Sequence, residues 1–208
     1  MRIRWLGTIA AAAVGLTVCV DASAAGAPPR CRPDGAVRFQ NREIVVFSKD
    51  QDVVGCLRQT GRRTRLGDFY IPQDSSTEAG GLKTIRARGH VVLTVETVEA
   101  PTGSSARVSV VNLLTGRRTF TVFVAPPSGQ GNAAVTAERL GPGGTLAFIA
   151  EIQTDHELLR TVRVHDALGD RVVDHGVAID TRSLSIHGTD IRWRSSGATR
   201  SITLQPPA

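Results

Sequence analysis

Short runs of strand-forming residues, each closed off by turn residues, constrain the fold of this chain more than any other feature. Valine, isoleucine, threonine and phenylalanine dominate the runs, and glycine, proline, aspartate or asparagine bounds most of them. The runs are Ile44–Phe47, His90–Val95, Arg107–Val111, Thr119–Val124, Thr145–Ala150, Thr161–His165, Arg171–Val173, Ser183–Ile186, Ile191–Trp193 and Ser201–Leu204. The best helical candidate after residue 24, residues 153–159, is too short to be stable. The pattern predicts an all-β fold with short antiparallel strands.

Within the runs, the spacing of apolar residues predicts how each strand is buried. In Thr161–His165 the two valines face one way and the polar residues the other, which is typical of a strand with one solvent-exposed face. In Thr119–Val124 the alternation weakens, which predicts a strand buried on both faces.

A repeated turn indicates that the strands are organised in units. Residues Thr60–Thr64 read TGRRT, and the same residues recur at Thr115–Thr119. Each copy lies between two strand-like stretches, and its glycine can supply the positive φ that a hairpin turn needs. A third turn, Asp166–Asp170, occupies the corresponding place in the hairpin that spans residues 162–173.

The strands that precede these hairpins recur at a regular interval. They start near Ile44, Val91, Leu146 and Ile191, roughly 45 to 55 residues apart. Repeats of this length with three or four strands each are typical of propeller blades. We therefore predict about four propeller-like blade repeats. The alternative is a β-sandwich or another barrel, whose short strands follow one another at a similar spacing.

Three stretches also resemble a known group of proteins. They are Glu43–Phe47, Val110–Arg117 and Ile191–Leu204, the last with a strand that carries Trp193, a glycine turn and a final apolar strand. In these stretches the chain resembles uncharacterised secreted β-propeller-like proteins of high-GC actinobacteria, over roughly residues 36–204. The resemblance implies blade repeats in a secreted protein, and its motifs specify no chemistry.

The length of the chain bears on whether the blades can close into a ring. At about 45–50 residues per blade, the residues after position 24 have room for four blades, and the fourth lacks its last strand. The sheet is then expected to stay open, or to be completed by an N-terminal strand around Ala36–Phe39 or by another chain.

The N-terminus has the features of an export signal. Arg2 and Arg4 precede an uncharged, largely apolar stretch, residues 5–20, and an A-x-A cleavage site lies at residues 22–24. The alternative is an uncleaved anchor helix, for which the stretch is short. We expect a secreted or otherwise extracytoplasmic protein without a membrane span after cleavage. The predicted organisation is a signal peptide at 1–24, a proline-rich lead-in at 25–35, the β-propeller-like domain at 36–204 and a tail at 205–208.

The cysteines fit an exported protein. Cleavage would remove Cys19 and leave Cys31 and Cys56. An even pair of cysteines in an exported chain predicts a disulfide. In the chain-entropy model, closing this loop contributes about 3 kcal/mol of stability. The alternative is two buried free cysteines.

The net charge of +6 comes almost entirely from arginine, because the chain has only two lysines. Cleavage would remove Arg2, Arg4 and Asp21 and so lower the charge to +5. The arginines are spread along the chain without a long basic run. We attribute this excess to base composition rather than to selection for an anionic partner.

Two arginine pairs nevertheless form a candidate anion-binding site. Arg62 and Arg63 lie in the first TGRRT turn, and Arg117 and Arg118 lie in the second. Guanidinium groups bind phosphate, sulfate and carboxylate groups through paired hydrogen bonds. If the repeats stack in register, both pairs would lie at one rim and could bind acidic cell-envelope polymers.

The scarcity of aromatic residues argues against two classes of partner. The chain has two Trp, one Tyr and six Phe. Nucleic-acid and carbohydrate sites commonly rely on exposed aromatic side chains for stacking. We therefore expect no nucleic-acid partner and disfavour a carbohydrate site.

No combination of residues specifies a reaction. His165 and His175, with the aspartates beside them, form the densest group of candidate acid–base residues, but most of them also suit turns and strand ends. We predict no catalytic residues, no metal site and no cofactor. The leading prediction is a secreted non-catalytic binding or scaffold protein, with a protein or an acidic envelope polymer as candidate partner. The alternative is a secreted hydrolase with a rim site near His165 or His175.

Overall fold

Fifteen β-strands and one short 3₁₀ turn make up the described part of the chain in this computed structural model, residues 31–68, 79–127, 129–155 and 157–207. The strands are β1 (Ala36–Gln40), β2 (Ile44–Lys49), β3 (Asp52–Leu57), β4 (Arg62–Asp68), β5 (Ala79–Arg88), β6 (Val91–Ala100), β7 (Gly103–Asn112), β8 (Arg117–Val124), β9 (Gly131–Leu140), β10 (Leu146–Gln153), β11 (Leu158–Asp166), β12 (Gly169–His175), β13 (Ser185–His187), β14 (Asp190–Ser195) and β15 (Ala198–Thr203). The 3₁₀ turn is Pro142–Gly144. The all-β prediction is confirmed for these residues.

The strands form four antiparallel meanders in chain order. The first meander is β1–β4, the second β5–β8, the third β9–β12 and the fourth β13–β15. In each, consecutive strands pair with one another. A short parallel contact, Gly103 with Gly131 and Ser104 with Asn132, joins the second and third meanders into one eight-stranded sheet. None of the described sheets closes on itself.

Central strands that bury both faces hold neighbouring meanders together. On β6, Val92 packs towards the first meander and Leu93 towards the third. On β10, Phe148 packs towards the second meander and Ile149 towards the fourth. Because successive side chains of a strand point to opposite faces, one apolar run serves two cores. The core is therefore a series of apolar layers, each between consecutive meanders.

The outer face of the first meander has a different cover. Val45 and Phe47 of β2 point away from the second meander and are fully buried. Cys31 packs against them and is joined to Cys56 of β3 by a disulfide, as predicted. The covalent link holds the residues before β1 across a face that would otherwise expose large apolar side chains.

The two TGRRT turns have the predicted backbone conformation. Gly61 has a φ of 70° and Gly116 a φ of 71°, values that glycine adopts without steric cost. The N–H of Gly61 donates to the carbonyl of Leu57 at 2.8 Å, and that of Gly116 donates to the carbonyl of Asn112 at 2.7 Å. The repeated sequence therefore folds into the same turn twice.

Comparison with the sequence-based predictions shows agreement at the apolar runs and two errors. Each of the ten runs overlaps a strand, whereas β1, β3, β4, β5 and β9 lie outside them. The strand β8 is exposed along one face, and Phe123 is 58% exposed, so its predicted burial on both faces is wrong. No sheet in the described part of the chain covers that face. The N-terminal strand around Ala36–Phe39 pairs with β2, so it completes the first meander and not the last.

Candidate ligand groove and the arginine turns

Arg62 connects the two TGRRT turns directly. Its guanidinium donates to the carbonyl of Leu114 at 2.7 Å and to that of Thr115 at 2.8 Å. These carbonyls belong to the second turn, so the structure brings the two turns together. Both hydrogen bonds are charge-assisted, and they direct the Arg62 side chain towards the protein and away from any external anion.

Arg63 and Arg118 hold the preceding segment of the chain in the same way. The Arg63 guanidinium donates to the carbonyl of Arg32 at 2.7 Å and to Asp34 Oδ1 at 3.3 Å. The Arg118 guanidinium donates to the carbonyl of Leu66 at 2.9 Å. Arg63 therefore ties the start of β4 to the residues before β1, and Arg118 ties β8 to β4.

Arg117 differs from the other three arginines of the predicted site. It is exposed, and its backbone N–H donates to Thr115 Oγ1 at 3.3 Å. Its guanidinium makes no hydrogen bond or ion pair among the described residues. The pairs thus lie close together as expected from stacked repeats, but three of the four guanidinium groups bind the protein itself.

A groove of about 530 Å³ opens beside these turns, where the first and second meanders meet. We call it the turn groove. It is lined by Arg42, Glu43, Leu57, Arg58, Gln59, Gly89, His90 and Leu114. These residues lie in or beside the turns β1–β2, β3–β4, β5–β6 and β7–β8, so both meanders contribute to the groove.

Hydrogen bonds fix the first-meander side of the turn groove. Asn41 Oδ1 accepts from the backbone N–H groups of Glu43 and Ile44 at 2.9 and 2.8 Å, which sets Arg42 at the tip of the β1–β2 turn. The backbone N–H of Arg58 donates to the carbonyl of Glu43 at 2.7 Å, and its Nε donates to the carbonyl of Asn41 at 3.1 Å. Its Nη2 donates to Gln40 Oε1 at 3.3 Å. Arg58 therefore joins two turns, and only the N–H groups that these bonds leave over can serve a ligand in the groove.

The second-meander side is fixed by backbone contacts. The N–H of Leu113 donates to the carbonyl of His90 at 2.8 Å, which places the β5–β6 and β7–β8 turns side by side. Leu57 is buried beneath the groove, whereas Leu114 is 48% exposed at its edge. The turn groove thus combines apolar surface with two guanidinium groups and one imidazole against one carboxylate, Glu43.

This arrangement suits binding of an anion. Two guanidinium groups offer several N–H donors, and the apolar surface beside them can contact a non-polar part of the same ligand. No serine, threonine or cysteine lies among the described residues that line the groove.

His165 and Asp174, near the predicted hydrolase site, point to opposite faces of the third meander. His165 stacks on Phe120 of the second meander, with ring centroids 4.1 Å apart. Burial lowers the pKa of His165. Asp174 faces the fourth meander and accepts a hydrogen bond from Trp193 Nε1 at 2.6 Å. His175 lies beside Asp174 and is exposed. The structure therefore does not bring His165 and Asp174 together.

The buried carboxylates of the described residues are paired with arginines and stabilise the fold. Asp166 accepts from Arg171 at 2.6 and 3.0 Å and from the backbone N–H groups of Leu168 and Gln205. The Arg171 hydrogen bonds hold the pKa of Asp166 at about 2. Other buried carboxylates pair in the same way, Glu96 with Arg107, Glu138 with Arg86 and Asp174 with Arg200.

Two further features concern metals and membranes. Across residues 31–68, 79–127, 129–155 and 157–207, no three His, Cys, Asp or Glu side chains are grouped as a metal ion would require. In the same ranges, no helix has the length and apolar character to span a membrane.

Sequence reasoning missed the turn groove because its residues are far apart in the chain. Arg42, Arg58 and His90 each lie at a strand end, and no short motif contains two of them. One signal was present: each adjoins a turn at the same end of a predicted blade. Stacking the repeats in register would have placed these turns together.

No protein-family model matches the chain, and no curated protein is significantly similar to it.

Proposed function

We propose that this protein is an exported, non-catalytic binding protein that holds an acidic polymer in the turn groove. Arg42, Arg58 and His90 supply the hydrogen-bond donors, and Leu57 and Leu114 supply apolar contact. The single observation that carries the proposal is the groove itself, a concave surface rich in guanidinium groups between two meanders. The wider architecture is a set of propeller-like repeats, in keeping with the resemblance of residues 36–204 to secreted β-propeller-like proteins.

Export is supported by the N-terminal sequence and by the disulfide. The basic, apolar and A-x-A segments within residues 1–24 follow the order of a secretory signal, and they lie outside the described residues. Disulfides persist in oxidising compartments, and Cys31 is joined to Cys56. We place the mature protein outside the cytoplasm on these grounds.

The propeller-like interpretation is supported by the order of the strands. Three consecutive meanders have four antiparallel strands each, and a fourth has three. Among the described residues, each of three apolar layers joins two neighbouring meanders. Ligand sites are commonly concave and lie where separately packed units meet, and the turn groove has that position between the first and second meanders.

The ligand is argued from charge and shape. The groove is open to solvent, so a chain-like ligand can pass through it without being enclosed. Carboxylate, phosphate and sulfate groups all match the planar donors of guanidinium. Arg117, exposed on the neighbouring turn, can contact a further acidic group of the same polymer. This assignment moves the predicted anion site from the two arginine pairs to the turn groove.

Binding of polygalacturonate, a soluble polymer of uronic acid, tests the proposal. The variant Arg42→Ala with Arg58→Ala removes both guanidinium groups from the turn groove, and we expect its affinity to fall about tenfold or more. The matched control is Arg192→Ala with Arg194→Ala, which removes the same charge from the exposed face of β14. Calorimetry at two salt concentrations measures both, because interactions of exposed charges weaken with salt.

The two variants separate site binding from general attraction. Loss of affinity in the groove variant and near-wild-type affinity in the control supports the turn groove as the site. Equal losses would show attraction to net charge alone and would refute the proposal, as would no binding by the wild-type protein. Because Arg58 also supports the β1–β2 turn, thermal unfolding of each variant is measured alongside.

A further inference from the structure

The fourth meander is one strand short of the pattern set by the other three. In the first three meanders the third strand, β3, β7 or β11, pairs with a strand on each side. The strand β15 holds the equivalent place in the fourth meander and pairs only with β14. One edge of β15 therefore lacks a neighbouring strand among the described residues.

The residues that follow β15 turn away from this edge. The backbone N–H of Gln205 donates to Asp166 Oδ2 at 2.9 Å, and its carbonyl accepts from the N–H of Ala167 at 2.8 Å. Both contacts lie at the β11–β12 turn, so the chain runs along the third meander. Five of the six residues of β15 are exposed.

The hydrogen-bond pattern shows which backbone groups face the open edge. The N–H of Leu204 donates to the carbonyl of Thr189 at 2.9 Å. In an antiparallel pair, inward and outward hydrogen-bonding residues alternate. The N–H and C=O groups of Arg200 and Ile202 therefore point to β14, and those of Thr199, Ser201 and Thr203 point to the open edge.

This edge lacks a common protection against pairing. The pairings β3–β4, β7–β8 and β11–β12 each contain a register shift of the kind that bends an edge strand, whereas β14–β15 pairs without one. The strand Ala198–Thr203 also contains no proline or lysine. Natural edge strands are commonly blunted by bulges, proline or lysine. A regular, unblunted edge is suited to accept a further strand.

We propose that β15 accepts an extended segment of another protein as the fourth strand of this meander. All pairings inside the meanders are antiparallel, and the added strand is expected to be antiparallel too. Its inward side chains would lie beside Arg200 and Ile202, so an acidic and an apolar residue fit these places. The strand β12 shows the same combination in the third meander, where Val173 packs on the core and Asp174 contacts Arg200.

Charge favours a different protein over a second copy as the donor. The strand β15 has one basic residue, Arg200, and no acidic residue. Two copies paired through this edge would bring two Arg200 side chains close together without a new carboxylate, which is unfavourable in a cross-strand pair. Backbone hydrogen bonds give strand addition its affinity, and the inward side chains give it selectivity.

A synthetic peptide tests the proposal on the full chain. The probe alternates threonine with the inward residues, a valine for the place beside Ile202 and a glutamate for the place beside Arg200. Its control carries lysine in place of glutamate. Amide exchange followed by NMR should show protection of Thr199, Ser201 and Thr203 rising about tenfold or more at saturating probe. The lysine peptide should bind about tenfold more weakly.

Variants at one position separate the open edge from the rest of the molecule. Ser201→Pro removes a donor at the edge and keeps the hydrogen bonds to β14, and proline is tolerated on edge strands. We expect it to weaken probe binding about tenfold, whereas Ser201→Ala should leave binding within about twofold. Arg200→Gln should abolish the preference for glutamate over lysine. Fluorescence of Trp193, on the adjacent strand, reports whether each variant is folded.

Three outcomes would overturn the proposal. They are no protection of the edge amides, equal binding by Ser201→Pro and Ser201→Ala, and a dimer in light scattering that Ser201→Pro dissociates, which would make a second copy the occupant. The site lies on the fourth meander, and the turn groove lies between the first and second. Failure of one therefore leaves the other unaffected.

Discussion

The first and fourth meanders are the two ends of a series of packed sheets, and they end it in different ways. In the first meander, β2 is apolar on both faces, and the outward side chains Val45 and Phe47 are covered by the disulfide-linked residue Cys31. In the fourth, β14 alternates, with Trp193 buried and Arg194 exposed. The outward face of the first meander is covered by the segment around Cys31, whereas the outward face of the fourth meander carries polar side chains.

This difference between the two end meanders shows that one end contributes mainly to stability and the other keeps strands accessible for binding. A covered end needs a segment over its apolar side chains, here the segment around Cys31, which we call the lid. Burial under the lid adds hydrophobic stability. A polar end needs no lid, and its strands stay accessible. In this molecule the covered end lies next to the turn groove, whereas the accessible end carries the open edge of β15.

The sharpest test of this contrast replaces one outward residue at each end. Phe47 is 1% exposed, so Phe47→Ala should cost about 3–5 kcal/mol of unfolding free energy by leaving a cavity under the lid. Arg194 is exposed on the outward face of β14, so Arg194→Ala should change it by less than about 0.5 kcal/mol. Urea unfolding measures both.

Similar effects of the two substitutions would break the comparison. A small loss for Phe47→Ala would mean that the segment around Cys31 does not cover the face in solution. A large loss for Arg194→Ala would mean that the fourth meander has a covered outward face as well.

The disulfide should account for the next largest effect. Cys31 and Cys56 are 25 residues apart, and closing a loop of this length contributes about 3 kcal/mol in the chain-entropy model. Cys31→Ser with Cys56→Ser should lower the unfolding free energy by about that amount and increase binding of a hydrophobic dye, because Phe47 loses part of its cover. Wild-type protein under reducing conditions is the control. Unchanged stability in the double variant would contradict the role assigned to the lid.

Much of the fold could be predicted from the sequence, because central strands carry local signals. The apolar runs at Ile44, Val91 and Leu146 identify strands buried on both faces, and these hold the layers together. The strands β4 and β9 escaped prediction because their sequences, rich in arginine or alanine, have weak strand propensity. Their conformation comes from pairing with a neighbour, which overrides local preference.

The candidate site was less predictable for a related reason. The turn before Arg62 and Arg63 was identified correctly, and the two arginines begin β4. What their guanidinium groups contact depends on parts of the chain distant in sequence, the second meander for Arg62 and the residues before β1 for Arg63. Carbonyls of Leu114 and Arg32 compete with any external anion for these donors. The exposed face of β8 likewise depends on which sheets lie beside it, and the run Thr119–Val124 contains no information on its neighbours.

The smallest of the three expected losses of stability, after those for Phe47 and for the disulfide, concerns Asp166. This carboxylate helps to hold the fourth meander, the polar end of the molecule, which has no lid. Asp166 is buried and joins the third meander to Gln205, and Arg171 holds its pKa at about 2, below its ordinary value of 3.8. Because the folded pKa is depressed, this group stabilises the fold above about pH 4, and the contribution is lost as the pH falls towards 2. The difference corresponds to about 2 kcal/mol.

Asp166→Asn should therefore be less stable than the wild type at pH 7 by about 2 kcal/mol, and the two should converge as the pH approaches 2. Asp155→Asn, at an exposed position, is the control and should follow the wild type throughout. Urea unfolding at pH 7, 4 and 2.5 measures the three proteins. A constant difference between wild type and Asp166→Asn at every pH would show that the side chain acts through its shape alone. Convergence would show that charge-assisted hydrogen bonds stabilise the fourth meander, as the disulfide stabilises the first.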